Sequence, residues 1–197
     1  GPGRILLAAI ASLLLSGNVF AGGSGFVPFR KLTIGEGLSS YEVTCIYQDS
    51  KGFIWIGTDN GLNRFDGYQV QIYRNDHSNG NTIGGNTVRC LFEDRTRNLW
   101  IGFKGEGLCQ LNLVTGSVRN YRHDADDDNS ISCDDISGIV EDSDGNIWIA
   151  TDRGALDMLD PGTGTITHFP VADRNKKPLN NAITAITTDR QNNIWLA

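Results

Sequence analysis

The sequence contains no run of more than two Lys or Arg residues, and its net charge is −6. A protein that binds DNA or RNA needs a basic surface to offset the phosphate charge, so this chain is predicted to have no nucleic-acid partner. The sequence also contains no GxSxG, no HExxH and no Gly-rich phosphate loop. These absences predict that this segment has no catalytic residues and binds no cofactor.

Apolar segments long enough to cross a membrane are also absent. The apolar stretch 5–15 is too short for a span of about 20 residues. It follows Arg4 and precedes small residues that end at Ala21, which predicts a helical signal peptide over 1–21 and a periplasmic location in a Gram-negative cell. A buried helix or a short signal anchor is the alternative. Because no initiator Met is present, Gly1 to Gly3 is either a cloning scar or the edge of a fragment.

Cysteine is scarce, and its spacing matches no zinc motif such as CxxC. The four residues are Cys45, Cys90, Cys109 and Cys133. An even count in an exported protein permits two disulfides. Buried free thiols are favoured instead, because two of the cysteines occupy repeat positions where other repeats have Gly or Ala, and cysteine packs like a small apolar side chain.

The sequence does contain a fourfold repeat. The tryptophans are 45, 48 and 47 residues apart, each six residues after an aspartate. The pairs are Asp49 and Trp55, Asp94 and Trp100, Asp142 and Trp148, and Asp189 and Trp195. These residues are predicted to be structural, with each indole packed between neighbouring repeats.

Within a repeat the hydrophobic pattern has a period of two, which indicates strands. The first repeat predicts strands A to D at 43–48, 53–58, 61–66 and 69–74, separated by Asp, Asn and Gly residues that favour hairpin turns. Four antiparallel strands every 45 to 48 residues are typical of a propeller blade. The alternative is a β-solenoid, whose coils are shorter and parallel.

The predicted fold is therefore all-β, an incomplete β-propeller with three four-stranded antiparallel blades and half of a fourth, preceded by the signal-peptide helix. The predicted segments are a linker with an orphan latch strand (22–34), blades at 35–86, 87–134 and 135–181, and a truncated blade at 182–197. The latch is predicted because Phe29 matches a strand D position with no strands A to C before it. We expect exposed strand edges, and hence marginal stability, in such a partial ring.

The segments FRKLT (29–33), EGLS (36–39), YQDSKGFIWIGT (47–58) and GLNRFDGY (61–68) resemble the two-component regulator propeller repeat. The resemblance covers 26–197. It implies the N-terminal periplasmic sensor of a Bacteroides-type hybrid two-component histidine kinase, which senses oligosaccharides and acts as a homodimer when full-length. The second and third repeats depart from the motif around Phe103 and Ala155.

Strands that alternate in direction place the B-to-C turns and the long D-to-A connections on one face, where loops tend to carry function. The polar residues of these turns are the predicted ligand-binding residues, with ordinary turn chemistry as the alternative. They are Asp59, Asn60, Lys104, Glu106, Asp152 and Arg153. An Asp-rich turn at 142–146, an acidic loop at 124–128 and three histidines are weaker candidates for cation binding.

The predicted function is a ligand-sensing module that recognises an oligosaccharide and passes a signal across the membrane in the full-length protein. The alternatives are an extracytoplasmic propeller enzyme of the lyase or glycosidase type and a protein–protein scaffold. A pair of carboxylates that face one cleft would favour the enzyme.

Overall fold

A computed structural model describes residues 31–171 and 182–197. The predicted signal peptide and residues 22–30 of the predicted linker and latch strand lie outside the described residues. Residues 172–181 of the third D-to-A connection also lie outside them. A 3₁₀ turn at Ile34–Glu36 precedes the first strand. Within the described residues, no helix has the length and apolar character needed to cross a bilayer.

Three four-stranded antiparallel sheets follow one another along the chain, each with its strands in sequence order. The first contains β1 (Val43–Gln48), β2 (Ile54–Thr58), β3 (Gly61–Phe65) and β4 (Val70–Tyr73). The second contains β5 (Val88–Glu93), β6 (Asn98–Phe103), β7 (Leu108–Asn112) and β8 (Val118–Tyr121). The third contains β9 (Ile136–Glu141), β10 (Ile147–Thr151), β11 (Ala155–Asp160) and β12 (Thr165–Pro170). A two-stranded sheet of β13 (Ile186–Thr188) and β14 (Ile194–Leu196) completes the set.

These sheets are blades 1 to 4, and they confirm the all-β prediction. The strands predicted for blade 1 agree with the structure to within a residue at each end. The first strands of successive blades lie next to one another, with β1 against β5, β5 against β9 and β9 against β13. The blades therefore share one inner side, which is the arrangement of a propeller.

The apolar core lies between blades. One cluster joins Trp55 and Leu62 of blade 1 to residues of blade 2 such as Ile101. A second joins Trp100 of blade 2 to Ile149 and other residues of blade 3. Alternate residues of every strand point to the same face of a sheet, and the neighbouring sheet covers that apolar face. The apolar core therefore forms only when two blades pack together.

The exposure of the four tryptophans follows this stacking. Trp55 and Trp100 are 1% and 0% exposed, beneath the next blade. Trp148 is half-buried against blade 4, and Trp195 is 59% exposed. Burial thus decreases from the second repeat to the fourth, because no sheet among the described residues packs on the indole of blade 4.

The repeated aspartate is bonded to its tryptophan. In all four repeats the indole Nε1 donates to the aspartate Oδ2 at 2.8 Å. The other carboxylate oxygen accepts backbone N–H groups of the A-to-B turn, as Asp94 Oδ1 does from Thr96 and Asn98, both at 2.9 Å. One carboxylate therefore closes the turn and orients the indole that the next blade covers.

These hydrogen bonds lower the pKa of the Asp94, Asp142 and Asp189 carboxyl groups. Burial raises the pKa of Asp94, but the donors on Asn98 and Trp100 outweigh it and the pKa lies below its usual value. In the exposed fourth repeat, hydrogen bonds from Asn193 and Trp195 lower the pKa of Asp189 to about 2.

The four cysteines are free, and each lies within the described residues. Cys45 pairs across the sheet with Gly57, and Cys90 pairs with Gly102. A Cβ added at Gly57 would lie 2.5 Å from the Cys45 sulfur. Glycine is required at position 57 because the Cys45 side chain fills the space that a Cβ atom would occupy.

Candidate functional site

The B-to-C turns and the D-to-A connections lie together, as the strand directions predict. The Gly61 N–H donates to the Asn86 carbonyl at 2.7 Å, and the Gly107 N–H donates to the Asp134 carbonyl at 2.8 Å. We call this the upper face. It comprises the B-to-C turns 59–60, 104–107 and 152–154 and the D-to-A connections 74–87 and 122–135.

Two of the predicted ligand-binding residues join neighbouring blades. The Glu106 Oε2 accepts the backbone N–H groups of Asn86 at 2.8 Å and Thr87 at 3.3 Å. Asp152 of blade 3 forms an ion pair with Arg89 of blade 2, and both side chains are about one-third exposed. Both carboxylates stabilise the upper face. Glu106 has the structural role in a turn that was the alternative to ligand binding. Asp152 instead forms a contact between two blades.

The other four predicted residues are exposed. Asn60 donates from its side chain to the Ser39 carbonyl at 3.2 Å. The side chains of Asp59, Lys104 and Arg153 make no hydrogen bond or ion pair with another described residue. These three are therefore the side chains of the predicted set that can reach a ligand without first breaking an internal contact, and their role stays a prediction.

The opposite face carries a groove of about 440 Å³ along the A-to-B turns of blades 1 to 3. Glu93 accepts the backbone N–H of Ser50 at 2.6 Å and its hydroxyl at 2.9 Å. Glu141 accepts the backbone N–H of Arg95 at 3.1 Å and forms an ion pair with its side chain at 2.8 Å. The turns of blades 1 and 2 are thus anchored on a glutamate of the following blade, and these charges are already paired.

This anchoring was not predicted from the sequence. The sequence feature that marks it is a Glu directly before the repeated Asp in the second and third repeats, at Glu93 and Glu141. The first repeat has Gln48 at this position and the fourth has Thr188. Because the glutamate bonds to the preceding blade, its role depends on the stacking of sheets rather than on local sequence.

A second cavity, of about 250 Å³, lies on the upper face beside the acidic connection of blade 2. Near it, Asp157 accepts the Ser132 backbone N–H at 2.7 Å and its hydroxyl, and lies 2.8 Å from His168 Nδ1. These three residue types form catalytic triads elsewhere, but there the serine and the aspartate contact different ring nitrogens. Here both contact Nδ1, while Nε2 lies 3.0 Å from the Asp128 carbonyl oxygen. Ser132 and Asp157 thus share one ring nitrogen, which differs from the arrangement of a catalytic triad.

The weaker candidates for cation binding lie in turns and loops, as the favoured interpretation of the sequence has it. Asp142 accepts the Asp144 and Asn146 backbone N–H groups, both at 2.9 Å, and the Trp148 indole N–H. Over residues 31–171 and 182–197, no group of three His, Cys, Asp or Glu side chains is arranged to hold a metal ion.

The comparisons with known proteins agree with the repeat and the fold. Residues 37–60, 82–105 and 130–153 match the two-component regulator propeller model. The chain is 38% identical over 78 residues to histidine kinase P4 of Formosa agariphila, a match that covers 40% of this chain and 6% of that protein.

Two solved structures are similar over most of the chain. The extracellular domain assigned to the hybrid two-component system BT3049 of B. thetaiotaomicron is 25% identical, with a TM-score of 0.70 over 85% of this chain. The extracellular domain of BT4673 from the same bacterium, assigned to a one-component or hybrid two-component system, is 29% identical in one structure, with a TM-score of 0.64 over 82% of this chain.

The chain spans only 29% and 21% of these two structures. The three segments that match the family model form the A-to-B hairpins of blades 1 to 3. The chain therefore carries three segments that match the two-component regulator propeller model, folded as blades of a propeller.

Proposed function

We propose that this chain is part of the periplasmic sensor propeller of a hybrid two-component histidine kinase, and that it recognises an oligosaccharide. The observation that carries the proposal is the similarity over 85% of the chain to an extracellular domain assigned to such a system. In the full-length protein, ligand binding would pass a signal across the membrane, within a homodimer.

The upper face supports an oligosaccharide as the ligand. Asp59, Lys104 and Arg153 extend from turns that are fixed by hydrogen bonds and ion pairs between blades. A turn backbone that is already fixed adds no cost of ordering the loop when a ligand binds. Hydroxyl groups of sugars both donate and accept hydrogen bonds, so they match a face with carboxylate, ammonium and guanidinium groups.

The test is a glycan-binding screen on the exported domain, followed by calorimetry with the variants Lys104→Ala and Arg153→Ala. Each change is expected to weaken binding about tenfold, which corresponds to about 1.4 kcal/mol. Lys51→Ala is the matched control, because Lys51 is an exposed lysine in the A-to-B turn of the opposite face.

Unchanged affinity in both upper-face variants, with a loss in Lys51→Ala, would move the site to the opposite face. Binding of no glycan would overturn the proposed ligand class. Cleavage of the bound glycan during the measurement would overturn the sensor proposal in favour of an enzyme.

A further inference from the structure

The D-to-A connection 122–135 is fastened to the outer half of blade 3 by a buried carboxylate. Asp157 on β11 is 0% exposed and accepts both the backbone N–H and the hydroxyl of Ser132. The equivalent position of blade 1 is Asn63, whose side-chain oxygen accepts the Ser39 N–H at 2.8 Å. Blade 3 thus has an acid where blade 1 has a neutral amide, and the acid requires a further donor.

His168 on β12 is that donor. Its Nδ1 lies 2.8 Å from the Asp157 carboxylate, and its Nε2 lies 3.0 Å from the Asp128 carbonyl oxygen. A carbonyl and a carboxylate only accept hydrogen bonds, and a neutral imidazole has a single N–H. The contacts to Asp157 and to Asp128 are therefore satisfied together only by the imidazolium form. In a neutral ring protonated on Nε2, Nδ1 accepts the Ser132 hydroxyl, 3.0 Å away, which takes that hydroxyl from Asp157. The His168 side chain is 41% exposed, so it exchanges its proton directly with water.

The surroundings of His168 are mostly acidic. Asp157 faces it from β11, and three aspartates and one histidine face the same cavity from the connection. These four are Asp124, Asp127, Asp128 and His123. The His123 Nδ1 lies within hydrogen-bond distance, 2.8 Å, of the Ile131 carbonyl oxygen. The hydrogen bond to Asp157 raises the pKa of His168, burial opposes it, and Asp128 adds to the rise.

We infer that His168 is a proton-dependent clamp, which holds the connection 122–135 against blade 3 when protonated and loosens it when neutral. This inference goes beyond the proposed function, because it makes one loop of the upper face sensitive to pH whatever that face binds. The pKa of the folded state lies above the unfolded value of 6.5. The stabilisation is therefore complete below about pH 6.5 and is lost as the pH rises through the folded value.

The test is amide hydrogen exchange of the whole chain at about pH 6 and about pH 8.5, corrected for intrinsic exchange rates. Protection of 122–135 is expected to fall as the pH rises, by about tenfold for each unit by which the folded pKa exceeds 6.5. The connection 74–87 is the internal control, because no histidine bonds to an acidic side chain there within the described residues.

His168→Gln is expected to remove the pH dependence and to leave 122–135 weakly protected at both pH values. His123→Gln is the matched control and is expected to keep the pH dependence. An NMR titration of the native protein gives a second readout, with an expected His168 midpoint above 6.5. A midpoint at or below 6.5, or the same pH dependence in His168→Gln, would overturn the clamp.

Discussion

Truncation of Trp100 is predicted to be far more destabilising than truncation of Trp195. Both indoles donate to the aspartate six residues earlier, at the same 2.8 Å, so the two sites differ mainly in coverage by a following blade. Trp100 is 0% exposed and Trp195 is 59% exposed. A buried tryptophan removes about 150–250 Å² from water, worth about 4–6 kcal/mol at about 25 cal/mol per Å².

Trp100→Ala is therefore expected to lower the free energy of unfolding by about 3–5 kcal/mol, in line with other tryptophan truncations. Trp195→Ala is expected to cost about 1–2 kcal/mol, because less than half of its surface is buried. Urea unfolding followed by circular dichroism, at several protein concentrations, measures both. Equal losses in the two variants would refute the conclusion that inter-blade burial supplies the stability.

Three further outcomes are expected. Gly57→Ala should destabilise the chain by about 1–3 kcal/mol through overpacking, while Gly80→Ala, where a Cβ meets nothing within 4 Å, should be nearly neutral in the same urea assay. Burial raises the pKa of the Cys45 thiol to about 11 and the pKa of the Cys109 thiol to about 12. Thiol reagents at neutral pH should therefore label these two thiols only after unfolding. Rapid labelling of either thiol in the native chain would contradict its burial. Acid should unfold the chain as the pH falls from about 3.8 towards 2. Carboxyl groups whose pKa is lowered in the folded state, such as Asp189 at about 2, give stability that protonation removes. A pH titration by circular dichroism with its transition above pH 5 would contradict this.

The strands were predictable because their boundaries are marked locally. Asp, Asn and Gly at the turns and a period of two between them give bounds within a residue of the structure in blade 1. The inter-blade position of the indoles was predictable from the repeat period, since a four-stranded blade needs a neighbour to cover its apolar face.

The contacts that join blades were not predictable, because they depend on residues 40 or more positions apart. Glu93 bonds to Ser50, and Arg89 to Asp152, across neighbouring sheets. Glu106 also appeared in sequence as a free polar residue of a turn, although it binds the backbone of the connection 20 residues before it. The alternation of strand direction locates the upper face, but only the packing of the blades shows which of its side chains are already bonded.

The radial stacking of the blades is tested most directly by a crystal structure of the protein. We expect Trp55 and Trp100 to lie between consecutive four-stranded sheets, each bonded to its aspartate, with β1, β5 and β9 side by side along the inner edge. A continuous single sheet, or indoles that face solvent in the first and second repeats, would contradict this fold.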